Sequence, residues 1–284
     1  MSRLSTAREL LWPGSTAVSR LPTELSDRHH RPDAALAYGP HPLQQADLFT
    51  VPGSAERPRP LVVFIHGGAW RFGDKARRLR DRKAAFCHRE GWHFASVNFR
   101  MVPEVGVAGM VADIANALRR LAGEPAVDAR RIVAMGHSSG AQLAALLATD
   151  PALRCPPLAG VIANDGAAFE PREPSLRPAW LARRLIDPAF PTQDAAALAG
   201  LSAAHHAARS PAPPFLILHA TRGAALRQAE LLEQALRQGG TQVERHQCGG
   251  TGLRGHVMLS RKLGLAGFAA TEIARRWLRE RFTS

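Results

Sequence analysis

Apolar residues along this chain follow two rhythms that take turns. Short runs with few polar interruptions occupy residues 61–65, 93–98, 131–135, 158–163 and 215–219, and a further strand is read at 242–246. Runs of that length and character predict strands, buried on both faces where the run is wholly apolar. Between them lie longer stretches, at 75–90, 107–121, 226–238 and 266–282, that read as amphipathic helices. Residues 141–148 are uniformly small and apolar, as a central helix enclosed on all sides would be. Gly91 and the Gly239-Gly240 pair mark C-terminal stops. Strand and helix in alternation predict a mostly parallel central sheet flanked by helices on both faces, an α/β architecture.

Two stretches break the alternation. Residues 1–58 are irregular and proline-rich, with one candidate strand at 45–49. They read as an N-terminal segment packing on a core domain of residues 59–284. Residues 166–210 are again rich in proline and read as an insertion passing over the functional edge of the sheet. Within it Trp180, Leu181 and Leu185 recur at helical spacing, which suits either a lid or ordinary packing. No internal repeat is visible.

Composition narrows the function classes. At 284 residues and 45% hydrophobic content, the chain is long enough to bury a full core as one domain. No apolar run reaches the roughly 18 residues that a membrane span needs. Near the start, Trp12-Pro13-Gly14 cuts off any continuous apolar region, which argues against a secretory signal. Cys87, Cys155 and Cys248 are odd in number, far apart and in no metal-ligand spacing, so reduced thiols in a cytoplasmic protein are expected. No metal or organic cofactor is implied. The net charge of +13 is scattered, mostly as pairs such as Arg119-Arg120 and Arg275-Arg276 on helix surfaces. With no nucleic-acid-binding motif beside it, that charge reads as solvated helix faces rather than a nucleic-acid or membrane surface. A homo-oligomer stays open.

The chemistry concentrates in three places. The first is Gly136-His137-Ser138-Ser139-Gly140, with a buried strand before it and a helix after it. A tight strand-to-helix turn needs Gly136 and Gly140, because side chains there would collide with neighbouring backbone. Such a turn lifts the Ser138 hydroxyl above the sheet and aims the helix N-terminus, and the Ser139 N–H with it, at a developing oxyanion. The second is His66-Gly67-Gly68-Ala69-Trp70, directly after the strand ending at Ile65. Small residues there let backbone N–H groups approach a substrate oxygen, and Gly68 and Ala69 are the candidate donors.

At these residues the sequence resembles the esterase branch of the α/β-hydrolases that carries His-Gly-Gly-x-Trp. That branch includes carboxylesterases similar to hormone-sensitive lipase and the kynurenine formamidases. The resemblance runs from about Tyr38 to the C-terminus. Besides the two motifs it rests on Gly73-Asp74-Lys75 and Asn98-Phe99-Arg100. It implies that His66 braces the loop, with Gly67 and Trp70, rather than taking part in catalysis. It also implies a base in the loop between the last strand and the last helix. His256 occupies that place among twelve histidines in all. His219 and His246 lie on strands and read as structural, and His205-His206 as a solvated pair.

The third triad member departs from the pattern. Relatives carry an Asp a few residues after the strand at 215–218, but this chain reads His219-Ala220-Thr221-Arg222-Gly223-Ala224-Ala225, with Arg222 or Gly223 at the expected position. Loss of that acid costs about 10⁴-fold in kcat in a serine protease, some 5–6 kcal/mol. Arg222 would further disfavour an imidazolium. Asp165, in Asn164-Asp165-Gly166 at the end of the preceding strand, is one substitute, although a turn-capping carboxylate reads the same way. Glu230 is another, and a Ser-His dyad a third. The expectation is a serine hydrolase of small carboxylic esters using Ser138 and His256, with Asp165 as the candidate acid. An arylformamidase acting on N-formylkynurenine is the alternative within hydrolases. A non-catalytic binding protein on the same fold is the alternative outside them.

Overall fold

The computed structural model describes residues 31–53, 57–76, 79–176 and 182–283. Eight strands form one sheet in the order β1-β2-β4-β3-β5-β6-β7-β8. They are β1 (Ala34–Ala37), β2 (Gln45–Phe49), β3 (Arg59–Ile65), β4 (His93–Val97), β5 (Val127–His137), β6 (Gly160–Asn164), β7 (Phe215–Thr221) and β8 (Val243–Thr251). The first two pairings are antiparallel and the remaining five are parallel. The sheet therefore begins upstream of residue 59, with β1 and β2 as its antiparallel end. β1 alternates between half-buried and exposed positions, as an edge strand does.

The helices are α1 (Leu79–Arg89), α2 (Val107–Ala122), α3 (Ser139–Thr149), α4 (Ala195–Gly200), α5 (Ala203–Ala207), α6 (Gly223–Gln238), α7 (Gly252–Lys262) and α8 (Ala269–Thr283). The core is split by the sheet in the way strand periodicity requires. Leu61, Val63 and Ile65 of β3 face one layer, packed with α2 and α3. Val62 and Phe64 face the other, with Phe86, Phe94, Trp277 and Leu278. On α2 the buried positions Val107, Met110, Val111, Ile114, Ala117, Leu118 and Leu121 repeat at helical spacing. In α3 every residue from Ser139 to Leu147 is buried. The insertion at 166–210 carries a 3₁₀ turn at Pro174–Leu176, a π turn at Ala182–Ile186, and the short helices α4 and α5. Leu185 lies half-buried in the π turn, while Trp180 and Leu181 fall outside the described residues. So do residues 1–30. Among the described residues no helix is long and apolar enough to cross a membrane. All three cysteines are free thiols.

Besides β1, one element departs from the sequence reading. The segment bearing His256 is not a loop but α7. Gly252 and Gly255 argue against a helix by propensity, and tertiary packing overrides them. A side chain at Gly255 would stand 2.8 Å from Ala220 Cβ, so the missing Cβ lets α7 lie directly on β7. Its other end meets α1, which supplies three cations. Lys83 Nζ donates to Ser260 O at 2.8 Å, Arg82 to Arg261 O at 3.0 Å, and Arg89 to Gly264 O just beyond, at 3.0 Å. Carbonyls at a helix C-terminus have no partners within the helix and carry its negative dipole end, so cations belong there.

Lys83 is fully buried, and burial pushes its ammonium down to about 7. The sign of the linkage follows. Between pH 7 and the ordinary lysine value the unfolded chain holds a proton that the folded chain has released. The stability cost of charging Lys83 is thus complete below pH 7 and fades as pH rises. Urea unfolding of the parent and Lys83→Met at pH 7 and pH 9.5 should show the parent gaining on the variant by roughly 1 kcal/mol per pH unit. Parallel stability curves would contradict this.

Candidate active site

The serine turn is built by crowding. A Cβ at Gly136 would lie 2.1 Å from Gly140 O, and one at Gly140 would lie 2.2 Å from Ile65 O. Only glycine permits that approach of β5, α3 and the end of β3. Ser138 between them has φ 57° and ψ −123°, a conformation that L-residues adopt only under constraint. The Ser138 N–H donates to Asn164 O at 3.0 Å, which ties the turn to the end of β6. Ser139 is the first residue of α3, whose leading N–H groups have no partner within the helix.

The loop after β3 passes against this turn. A Cβ at Gly67 would stand 2.9 Å from Ser138 Cβ. Gly68, Ala69 and Trp70 follow with φ of 141°, 52° and 58°. Arg71 and Phe72 N–H both donate to Gly68 O, at 3.2 and 2.9 Å, so the loop closes on itself. The Trp70 indole N–H donates to Gln142 Oε1 of α3 at 3.0 Å, and the ring meets Phe190 edge-on at 5.5 Å. That makes Trp70 a buried strut, whereas Phe72 is exposed. The His66 ring stacks on Phe99 at 4.6 Å, with Nδ1 3.1 Å from Gly67 O. Asp74 accepts from Asn98 Nδ2 at 2.9 Å, and Lys75 Nζ pairs with Asp47 at 2.5 Å. These contacts clamp the loop to β2 and to the segment after β4.

Asp165 follows β6, with φ 47°. Its N–H donates to Leu218 O at 2.7 Å, and its Oδ1 accepts the Ala220 N–H at 2.9 Å. Its Oδ2 is 2.5 Å from His256 Nδ1. Arg222 Nε stands 3.4 Å from the same oxygen. The Asp165 side chain is wholly buried. Burial alone would push the carboxyl up, but the hydrogen bond to His256 and the Arg222 charge outweigh it and hold it below its ordinary value. Asp165 and His256 are thus brought together. Glu230 sits half-buried on the second turn of α6, where its charge is felt at His219.

His137 is a residue that sequence reasoning passed over. Its ring lies against that of His256, centroids 4.5 Å apart, and its Nε2 is 3.3 Å from His256 O. Burial first, and the neighbouring His256 second, keep it well below the ordinary histidine value, hence neutral. The signal available in the sequence was its position inside the serine turn. The histidines read as structural or solvated have partners of their own. His219 Nε2 meets Arg245 at 2.9 Å, His246 meets Glu244 at 3.2 Å, and His205 and His206 pack edge-to-face on α5.

Comparison with known proteins follows the same geography. The BD-FAE family model matches residues 47–155, from β2 to just past α3. That span holds the His66–Trp70 loop and the serine turn but neither Asp165 nor His256. A probable isoprenylcysteine alpha-carbonyl methylesterase of Oryza sativa subsp. japonica is 32% identical over 120 residues, 39% of this chain. The match spans about a quarter (27%) of that relative's length. Among solved structures, esterase B of Lactobacillus rhamnosis superposes with a TM-score of 0.70 at 18% identity, covering 89% of this chain and 88% of that one. A thermophilic esterase of Thermogutta terrifontis gives 0.68 at 22% identity, covering 93% and 96%. Strand order, the flanking helices and these whole-length superpositions establish that the chain has the α/β-hydrolase fold.

Proposed function

We propose that this chain is a serine hydrolase of small carboxylic esters, with Ser138 as nucleophile, His256 as base and Asp165 as the acid. The observation that carries the reading is the 2.5 Å contact between His256 Nδ1 and Asp165 Oδ2. It lies at the strand edge from which the Ser138 turn also rises. Ester hydrolysis is likewise the activity named for the rice and Thermogutta proteins.

Each residue has a task. Ser138 Oγ bonds to the ester carbonyl carbon while the imidazole of His256 removes its proton. Asp165 fixes the tautomer with hydrogen on Nδ1, leaves Nε2 free to accept, and stabilises the imidazolium that forms. The carbonyl oxygen, now negative, is met by backbone N–H groups of Gly68, Ala69 and Ser139. The tetrahedral intermediate collapses, the C–O bond to the alcohol breaks, and His256 returns its proton to that oxygen. Water, deprotonated by the same imidazole, then releases the acid from Ser138. The same steps cleave a formamide, so formyl esters and N-formylkynurenine belong in the same assay. The binding-protein alternative drew its support from the acid missing after β7. A carboxylate against His256 removes that support.

Two substitutions test the assignment on p-nitrophenyl acetate and butyrate. Ser138→Ala should lower hydrolysis to the uncatalysed background. A parent no faster than this variant on any of these substrates would sink the esterase reading. Asp165→Asn should reduce kcat by roughly 10³–10⁴-fold, because the amide no longer fixes the productive tautomer. An Asp165→Asn enzyme as fast as the parent would return Asp165 to a turn-capping role and leave a dyad.

A further inference from the structure

Arg222 follows β7, in the stretch where the resemblance implies the triad acid. Its Nε lies 3.4 Å from Asp165 Oδ2, near enough for an ion pair. That oxygen already receives His256 at 2.5 Å, and Oδ1 receives the Ala220 N–H at 2.9 Å. Arg222 Nε is buried and has no hydrogen-bond acceptor. That atom faces Asp165, so a further acceptor would be met by the Nη groups of the same guanidinium. The side chain nevertheless keeps 26% of its surface exposed, so solutes reach it.

The surrounding charges favour an anion. Arg254, two residues before His256 on α7, is exposed. Arg245 is nearby but already engaged, by Glu233 at 2.5 Å and by His219 at 2.9 Å. Asp165 is fully buried and shared with His256, and Glu230 is half-buried on α6. The chain as a whole carries +13, so an anionic substrate is drawn towards it at low ionic strength.

We infer that Arg222 is a specificity-determining residue that recognises a carboxylate on the substrate, so that the site prefers esters carrying a negative charge several bonds from the scissile carbonyl. This inference rests on the esterase reading above. Ser138 follows β5 and Arg222 follows β7, two inter-strand steps apart, or about 10 Å. A guanidinium offers five donors in one plane, so it binds a substrate carboxylate and stays beside Asp165 at once.

The test compares mono-4-nitrophenyl adipate with 4-nitrophenyl hexanoate, which match in acyl length and differ in the terminal charge. The parent should favour the adipate ester in kcat/KM by on the order of tenfold, as a charge-assisted hydrogen bond supplies. Arg222→Gln should bring the ratio close to one, and Arg222→Lys should retain part of the preference. A parent ratio of one or below, or a preference that survives Arg222→Gln, overturns the inference. Should no ester be hydrolysed at all, the esterase reading fails, but calorimetry still decides this one. Ser138→Ala protein should bind monomethyl adipate more tightly than methyl hexanoate, and Arg222→Gln added to it should erase the difference. Equal binding of the two ligands would refute carboxylate recognition.

Discussion

Everything at the working edge of this sheet depends on three backbones meeting without side chains between them. Gly136 faces Gly140 across the serine turn, Gly140 faces the carbonyls of Ile65 and His66, and Gly67 faces His137 and Ser138. A methyl group at any of these positions would enter space already filled. The crowding fixes the start of α3, forces Ser138 to positive φ, and holds the loop after β3 against it. Strain at Ser138 therefore comes from the packing of β3, β5 and α3 together, which over-determines that one residue.

The carboxylate problem is solved across a strand boundary. Asp165 follows β6, yet its N–H and its Oδ1 are both bonded to the backbone of β7, at Leu218 and Ala220. Its side chain is thus laid over the neighbouring strand. Arg222, just after β7, brings its charge to 3.4 Å from the same carboxylate and helps hold it below its ordinary value.

Most of the architecture was legible because it follows from period and run length. The apolar runs of β3, β5, β6 and β7 could be little else than buried parallel strands, and the spacing in α2 could be little else than a helix. Both motifs at the serine turn were legible too, since glycine spacing reports backbone proximity directly. α7 was not, because its glycines speak against a helix in isolation and their reason, contact with Ala220, is tertiary. β1 was missed for the opposite cause, since a four-residue edge strand with alternating exposure carries almost no signal. The Asp165–His256 contact joins residues 91 positions apart, and spacing along the chain cannot announce it. His137 was hidden by its own motif, where the middle positions are read as free to vary.

The helix that propensity disfavours is also the helix most heavily restrained. α7 is docked on β7 through Gly255, bonded to Asp165 through His256, and backed by His137 at the His256 carbonyl. Its far end is received by Arg82 and Lys83, with Arg89 on the following turn. Burying a lysine to do this costs stability, as its lowered ammonium shows, and a solvent-exposed cap would cost less. What burial adds is rigidity. Lys83 sits over the Phe64 ring at 4.8 Å, inside the core layer, so it cannot swing away as a surface side chain does. The base proposed above must stay within hydrogen-bonding reach of both an acid and a nucleophile, which needs its backbone fixed at both ends. In this chain Asp165 anchors one end of α7 and α1 the other.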